Sequence, residues 1–144
     1  MKIDEFMNLF KNCKIINDKI LIASDLHQVL DFVKSNYSYD MLKEIIATDK
    51  ADEGIELTYH LYSLDDEEDL FISVMVKNEA ESVVDIFPSA QADENEIYDL
   101  FGINFIGNAD LKRLYMPENW QGHPLRKDYI QDDTRLAWND EECF

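Results

Sequence analysis

Two β-strand patterns joined by a short acidic turn constrain the fold of this chain more than any other feature. In residues 55–62, apolar and polar side chains alternate, and residues 70–77 are rich in phenylalanine, isoleucine and valine. The run Asp-Asp-Glu-Glu-Asp at residues 65–69 separates them and is typical of a solvated turn. The pattern predicts an antiparallel hairpin with one solvent-facing side and a charged tip, which discourages edge-to-edge association.

The sequences on either side of this hairpin predict helices and further strands. Apolar residues at helical spacing indicate α-helices over residues 3–11, 26–36 and 89–101, with Ser89 expected to cap the last one. Residues 14–23 predict a strand interrupted by a tight turn at Asn17-Asp18. Residues 41–48 fit either a helix or a strand, and we interpret them as a strand.

Regular periodicity ends near Gly102, which stands where a helix-terminating glycine is expected. We therefore predict an α+β fold: a small mixed or antiparallel sheet with helices packed on it, followed by a long irregular C-terminal tail. The predicted domains are a body over residues 1–102 and an extended docking tail over residues 103–144. Forty residues without periodicity are unusual in a compact domain and indicate function or docking.

The net charge of −18 argues against a nucleic-acid partner, because phosphate binding requires a basic face. It also disfavours direct contact with an anionic membrane surface. The sequence contains no secretory signal and no apolar run long enough to span a bilayer. We therefore expect an intracellular protein that neither binds nucleic acid nor inserts into the membrane.

Residues that could support catalysis or bind a metal are scattered. The two cysteines, Cys13 and Cys143, form no ligand pattern, and the three histidines fall on a predicted helix, strand and loop. Glu94 and Glu96 are two residues apart and so lie on different sides of a helix, which is unsuitable for a catalytic pair. We predict no catalytic, metal or cofactor site. A small hydrolase using His123 and a carboxylate is an alternative.

The tail has the composition of an interaction surface. Residues 107–129 carry four basic and three acidic side chains, against the strongly acidic background, and also Tyr115, Trp120 and Tyr129. Tryptophan, tyrosine and arginine are the residues that most often anchor protein interfaces. The alternative is that the tail wraps its own sheet with its charges paired internally, and both interpretations can hold for different sides of the segment.

The same region carries specific motifs. The stretch "SAQADENEIYDLFGINFIGNADLKRLYMPENWQGHPLRKDY", residues 89–129, resembles the C subunit of NADH:quinone oxidoreductase, which is related to the 30-kilodalton chain of respiratory complex I. The match includes residues 99–103, Leu114, Met116-Pro117, Trp120 and residues 122–129. The same family includes subunits of energy-converting [NiFe] hydrogenases, and "IELTYHLYS" at residues 55–63 resembles its central strand.

The sequence departs from the family pattern at three places. Asn95 replaces an arginine, Asn108-Ala109 replaces a His-Pro pair, and Lys112 replaces an arginine. The chain also ends soon after the last motif, which favours a hydrogenase-type complex, with the C subunit of a complex-I-type enzyme as the alternative. A free-standing acidic binding module is a further alternative.

The resemblance implies a non-catalytic structural or assembly subunit of the peripheral arm of a membrane-associated redox complex. Its implied partners are a large catalytic subunit related to the [NiFe] hydrogenase large subunit and a small iron–sulfur subunit. The iron–sulfur clusters, and a NiFe centre or flavin, would lie in those partners, at the cytoplasmic face of the membrane. No activity is expected from the isolated chain.

The resemblance and the composition together select two sets of residues. The predicted partner-binding residues are Arg113, Trp120, His123, Pro124, Leu125, Arg126, Lys127, Asp128 and Tyr129. The predicted structural residues are Glu94, Glu96, Asp99, Phe101 and Gly102. Among these, Arg126 is predicted to clamp a carboxylate of the large subunit, because an arginine fork can bind a carboxylate through two hydrogen bonds.

Overall fold

The computed structural model describes residues 3–10, 12–23 and 25–130. Residues 131–144 of the predicted tail, including Cys143, lie outside the described residues. The described chain contains three α-helices: α1 (Ile3–Leu9), α2 (Leu26–Tyr37) and α3 (Ala90–Phe101). Its strands are β1 (Cys13–Ile16), β2 (Lys19–Ile22), β3 (Met41–Asp49), β4 (Ile55–Ser63), β5 (Glu68–Val76), β6 (Glu79–Glu81) and β7 (Asn104–Ile106).

The predicted α+β class is confirmed. A five-stranded mixed sheet has the order β1-β2-β5-β4-β3, and β6 and β7 form a small parallel pair. The hairpin β4–β5 is antiparallel in continuous register from Ile55↔Val76 to Ser63↔Glu68, as the alternation predicts. The sheet is mixed because β2 pairs with β5 in parallel, whereas its other pairings are antiparallel.

One face of the sheet builds the core. Alternate residues of β4, such as Tyr59 and Leu61, are fully buried in one cluster with Phe6 of α1 and Leu30 of α2. The opposite residues of β4, such as His60, are only partly covered. Segment 41–49 is a strand as interpreted, and Asn17 and Asp18 form the tight turn with φ angles of 51° and 64°.

The N-terminal start of α3 differs from the prediction. Ser89 forms no capping hydrogen bond with the helix; its hydroxyl donates instead to the Leu42 carbonyl over 3.4 Å. A contact with β3 therefore replaces the expected cap. The C-terminal end follows the prediction, because Gly102 adopts the left-handed conformation with φ 75° and its N–H donates to the Tyr98 carbonyl.

Regular structure extends beyond the predicted body boundary at residue 102. Ile103 and Phe105 are 0% and 1% exposed and belong to the core cluster. Phe105 lies in β7 and pairs with Ala80 of β6. The change to irregular chain therefore comes after Ile106, and residues 107–130 are called the anchored loop below.

Candidate interaction site around the end of α3

The anchored loop returns to the C-terminal end of α3. The Leu125 N–H donates to the Leu100 carbonyl over 2.9 Å, and Arg126 Nη1 donates to the Phe101 carbonyl over 3.0 Å. His123 Nδ1 lies 2.9 Å from the Asp99 carbonyl oxygen and must carry the proton, because a carbonyl can only accept. The last carbonyls of a helix have no partner within the helix. The loop supplies those partners here.

The carboxylate of Asp99 holds the first half of the anchored loop. Its Oδ2 accepts the backbone N–H groups of Leu114, Tyr115 and Met116 at 3.1, 2.7 and 3.0 Å, and Arg113 Nη1 donates to Oδ1 over 3.0 Å. The Asp99 side chain is completely buried. Consecutive backbone N–H groups around one oxygen form an anion-binding concavity of the kind called a nest. This acid therefore organises the loop.

Two opposing effects set the pKa of Asp99. Burial raises the pKa of this carboxyl, but the hydrogen bonds from the Met116, Tyr115 and Leu114 N–H groups and from Arg113 lower it, and the net result lies below the ordinary value. Asp99 is therefore ionised and tightly bound in the folded protein.

Arg113 joins the two halves of the anchored loop. Besides its ion pair with Asp99, it donates from Nη2 to the Gly122 carbonyl over 3.1 Å, and its side chain is only 11% exposed. Both ends of its planar guanidinium are therefore used within this chain. Its predicted contact with a partner stays a prediction, but the internal charge pairing considered as an alternative is present at this residue.

A second buried carboxylate lies one turn earlier in α3. Glu94 is 0% exposed and accepts the Val83 N–H over 3.1 Å and Asn108 Nδ2 over 3.2 Å. Burial raises the pKa of Glu94 above its ordinary value, and its hydrogen bonds do not reverse that shift as those of Asp99 do. Glu96 is exposed, so the two glutamates face opposite sides of the helix as their spacing predicts.

The remaining predicted residues differ widely in exposure. Trp120, Pro124 and Tyr129 are half-buried, as are Phe101 and Gly102. Leu125 is 52% exposed. Arg126 also donates from Nε to Asp128 over 3.2 Å, in an ion pair whose acidic member is 75% exposed.

Two features of the site were missed from sequence. Asp49, at the end of β3, accepts the Lys127 backbone N–H over 2.7 Å and the Ala51 N–H over 2.8 Å. The hydrogen bond from Lys127 is the main cause that lowers the pKa of Asp49. Asn95, recognised only as a departure from the family pattern, is buried and accepts the Lys112 N–H over 3.1 Å. Neither contact leaves a periodic signal in the sequence.

The geometry gives no support to hydrolysis by His123. Its Nδ1 contacts a backbone carbonyl, and the nearby Asp99 carboxylate is already engaged by four donors. Within residues 3–10, 12–23 and 25–130, no three histidine, cysteine, aspartate or glutamate side chains are placed to hold a metal ion. The arrangement instead fixes an irregular loop rigidly at a helix end.

Gly102 is required where His123 crosses the end of α3. A Cβ added there would lie 2.5 Å from His123 Cδ2, and its φ of 75° disfavours any other residue. We expect Gly102→Ala to lower the free energy of unfolding by about 2–3 kcal/mol, from backbone strain plus a lost hydrogen bond. Denaturant unfolding measures this loss.

Gly107→Ala is the matched control for that substitution. Gly107 also has a positive φ, of 98°, but its added Cβ would meet only Ser82 Cβ at 3.8 Å, an ordinary contact distance. The control therefore experiences backbone strain without displacement of a ring. If Gly102→Ala and Gly107→Ala lower the free energy of unfolding equally, the close contact between His123 and Gly102 contributes nothing to stability.

Comparison with known families identifies the chain. Residues 21–135 match the family described as "Respiratory-chain NADH dehydrogenase, 30 Kd subunit". The chain belongs to this family. The match begins within β2 and includes the Asp99 anchor and the anchored loop, so the family assignment covers both the body and the candidate site of this 30 Kd subunit relative.

Some curated relatives of this 30 Kd subunit family member are close to it in length, and others are several times longer. The NADH-quinone oxidoreductase C subunit of Moorella thermoacetica is 31% identical over 88% of this chain and 92% of its own length. The corresponding C subunit of Trichlorobacter lovleyi is 39% identical over 73% of this chain and 68% of its own length. The C/D subunit of Phocaeicola vulgatus is 35% identical over 83% of this chain, but the match covers only 24% of that protein.

The comparisons confirm the predicted complex I 30-kilodalton subunit family. The three relatives just described carry NADH-quinone oxidoreductase names, and none of those names refers to a hydrogenase. Among the described residues of this family member, no helix is long and apolar enough to cross a bilayer.

Proposed function

We propose that this chain is a non-catalytic structural subunit of a complex-I-like, membrane-associated oxidoreductase, and that it docks on the large catalytic subunit through the anchored loop. One observation carries the proposal. The loop has no regular secondary structure of its own, yet Asp99, buried in the body, fixes it through four hydrogen bonds, while Leu114, Tyr115 and Leu125 remain exposed. Rigid presentation of such side chains favours binding, because less conformational freedom is lost on association.

The names of the relatives support the choice of partner. In the Phocaeicola vulgatus protein, the part similar to this chain belongs to a longer polypeptide whose name joins the letters C and D. Two functions joined in one polypeptide are held at high effective concentration, which suits subunits that act together. We therefore take the large catalytic subunit to correspond to the D part, and we call it the large partner.

The rest of the proposed assembly follows from the family. A small iron–sulfur subunit is the second partner, and the iron–sulfur clusters and flavin belong to partner subunits. The chain would lie at the cytoplasmic face of the membrane as a peripheral component, held there through the complex. The relatives' names favour the quinone-linked branch over the hydrogenase-type branch.

Purification of the tagged full chain from its native host in mild detergent tests this function. We expect it to co-purify with the large partner and the iron–sulfur subunit, in a fraction that reduces quinone. The chain purified alone should be colourless and contain no stoichiometric iron. A chain recovered only as a monomer, without metalloproteins, would instead support the free-standing binding module. Hydrogen evolution by the purified fraction would reassign the chain to the hydrogenase-type branch.

A further inference from the structure

Three exposed apolar residues of the anchored loop lie next to its anchor, and a fourth, Ile130, lies at the end of the loop. Leu114 is 45% exposed, Tyr115 is 67% exposed and Leu125 is 52% exposed. The backbone N–H groups of the first two bind the Asp99 carboxylate, and that of Leu125 binds the carbonyl of the next residue, Leu100. All three side chains therefore start from the same end of α3. We call these three residues the apolar patch.

The two arginines of the loop and His123 have the opposite arrangement. Arg113 and Arg126 donate to groups within their own chain, and their side chains are only 11% and 25% exposed. His123 also binds a backbone carbonyl of α3. These residues hold the loop in place, so the large side chains that stay available for a partner next to the anchor are apolar, and the exposed charges lie elsewhere on the loop. An aromatic side chain such as Tyr115 often contributes strongly to the binding energy at the centre of an interface, and apolar neighbours exclude water around it.

The charged side chains around the apolar patch indicate which charge a partner surface needs in order to bind there. Glu96, on the exposed side of α3, stands one turn from Asp99, and Glu118 and Asp128 are exposed on the loop. The lysines exposed on the same loop are Lys112 and Lys127. Exposed acids therefore outnumber exposed lysines here, although residues 107–129 contain one more basic than acidic residue, and the whole chain carries a net charge of −18. A complementary surface is apolar at its centre and basic at its rim.

The first turns of α3 are also acidic. Asp93 is partly buried, and its pKa is raised first by burial and then by the nearby carboxylates of Glu96 and Glu44. The carboxylates of Glu96 in α3 and Glu44 in β3 therefore each lie close enough to Asp93 to disfavour its charged form. Lysine or arginine side chains from a partner would relieve this repulsion.

We propose that the apolar patch of Leu114, Tyr115 and Leu125 is the contact surface for an apolar area on the large partner that is rimmed by lysine and arginine. This inference rests on the proposed function and specifies how docking occurs. Arg113, His123 and Arg126 act as positioning residues that hold the patch in its binding conformation. Within the motif at residues 122–129, His123 and Arg126 thus support the contact surface rather than form it.

Serine substitutions in the patch, made in the full chain and expressed in the native host, test the proposal. The triple variant Leu114→Ser, Tyr115→Ser, Leu125→Ser should reduce the amount of complex formed with the large partner about tenfold or more on native gels. Ile46→Ser and Leu64→Ser are matched controls, because these residues are 42% and 63% exposed but lie on β3 and at the hairpin tip. Both controls should assemble within about twofold of the wild type.

A charge reversal at one position tests the basic rim. Leu125→Lys and Leu125→Glu both remove the apolar side chain, but only the lysine would face like charges on the partner. We expect the Leu125→Lys variant to assemble less well than the Leu125→Glu variant, and the difference should shrink in high salt because exposed charges are screened. Equal assembly of the two variants, or better assembly of the lysine variant, would contradict the proposal that the partner surface has a basic rim.

The outcomes separate this inference from the proposed function. If the wild type fails to co-purify with the large partner, the proposed function fails. If the wild type and the triple variant co-purify with the large partner equally well, the proposed role of the apolar patch is wrong, while the proposed function stands. If the isolated triple variant unfolds at a much lower temperature, the patch packs against its own chain and the proposal is wrong. A wild-type dimer that the triple substitution converts to a monomer would make the patch a self-association surface, which also overturns it.

Discussion

Replacing Asp99 with alanine is expected to lower the free energy of unfolding by about 3–5 kcal/mol, the usual cost of removing one member of a buried ion pair. The substitution leaves Arg113, whose side chain is only 11% exposed, without its carboxylate. It also leaves the N–H groups of residues 114–116 without their acceptor. Urea unfolding of the isolated chain at neutral pH measures the loss. The Asp99→Asn variant keeps one acceptor oxygen and should show an intermediate loss.

Glu96→Ala is the control for this substitution. It removes a carboxylate from the same helix, but Glu96 is exposed, so its loss should change stability by no more than about 0.5 kcal/mol. Equal stability of the Asp99→Ala variant and the wild type would contradict the role of Asp99 as anchor. The apolar patch should also lose its fixed conformation in the Asp99→Ala variant. The amount of complex formed with the large partner should therefore fall together with the stability of the chain.

The pH dependence of the Asp99→Asn effect has a defined sign. The pKa of Asp99 is lowered in the folded protein, so its contribution is fully present above the unfolded-state pKa of about 3.9. The contribution is lost as the pH falls through the folded-state pKa. The stability difference between the wild type and Asp99→Asn should therefore be constant near neutral pH and shrink below about pH 4. Urea midpoints from pH 7 to pH 3 measure this change.

Phe105→Ala is expected to destabilise the isolated chain by about 3–5 kcal/mol, as large-to-small substitutions of a buried phenylalanine do. Phe105 is 1% exposed, lies in the core cluster and pairs with Ala80 through β7. The cost includes both the lost burial of the ring and the cavity that remains. The free energy of unfolding from urea titration, with the slope checked for two-state behaviour, gives the value.

Ile106→Ala is the matched control, because the neighbouring residue in the same strand is 56% exposed. Its loss should change stability by about 0.5 kcal/mol or less. A small effect of Phe105→Ala, similar to that of Ile106→Ala, would mean that β7 is not part of the stable body. The body would then end near residue 102, as the sequence boundary predicts.

The sheet and helices were predictable because their signals are local. Alternation over residues 55–62 sets the buried face of β4, and Gly102 marks the end of α3. The pairing of β2 with β5 in parallel was not predictable, because no local pattern states which strand of a sheet another strand will join. The interpretation of residues 41–48 as a strand was confirmed, although their own pattern also fits a helix.

The buried face of α3 illustrates what periodicity does not capture. The helical spacing of Ile97, Leu100 and Phe101 predicts that these residues form its apolar side, but Leu100 and Phe101 are only half-buried. Glu94 and Asp99 are completely buried instead, because Val83, Asn108 and the anchored loop supply hydrogen bonds to them. Buried polar groups of this kind depend on partners distant in sequence, and those partners carry no periodic signal.

The residues of the candidate site were selected by motif resemblance, but the motif does not give their geometry. Asp99 and Gly102 were predicted as structural residues and His123 as a partner-binding residue, and the structure brings all three together at the end of α3. The contact predicted between Arg126 and a carboxylate of the large subunit stays a prediction, and within its own chain Arg126 donates to the Phe101 carbonyl. The orientation of a side chain in an irregular loop depends on the backbone path, which propensity and spacing do not determine.

The dependence of α3 on residues that follow it has a consequence for synthesis of the chain. The hairpin β4–β5 joins near neighbours, whereas Ile20 must find Ile72 across a long stretch of chain, a slower step. The groups that satisfy Asp99 and the last carbonyls of α3 come later still, from residues 113–126. On the ribosome, which delivers the chain from its N-terminus at about 5–20 residues per second, the helix end is completed only after the sheet. A nascent chain interrupted before residue 113 would lack the surface proposed for docking, so assembly itself would select chains whose translation has passed this point.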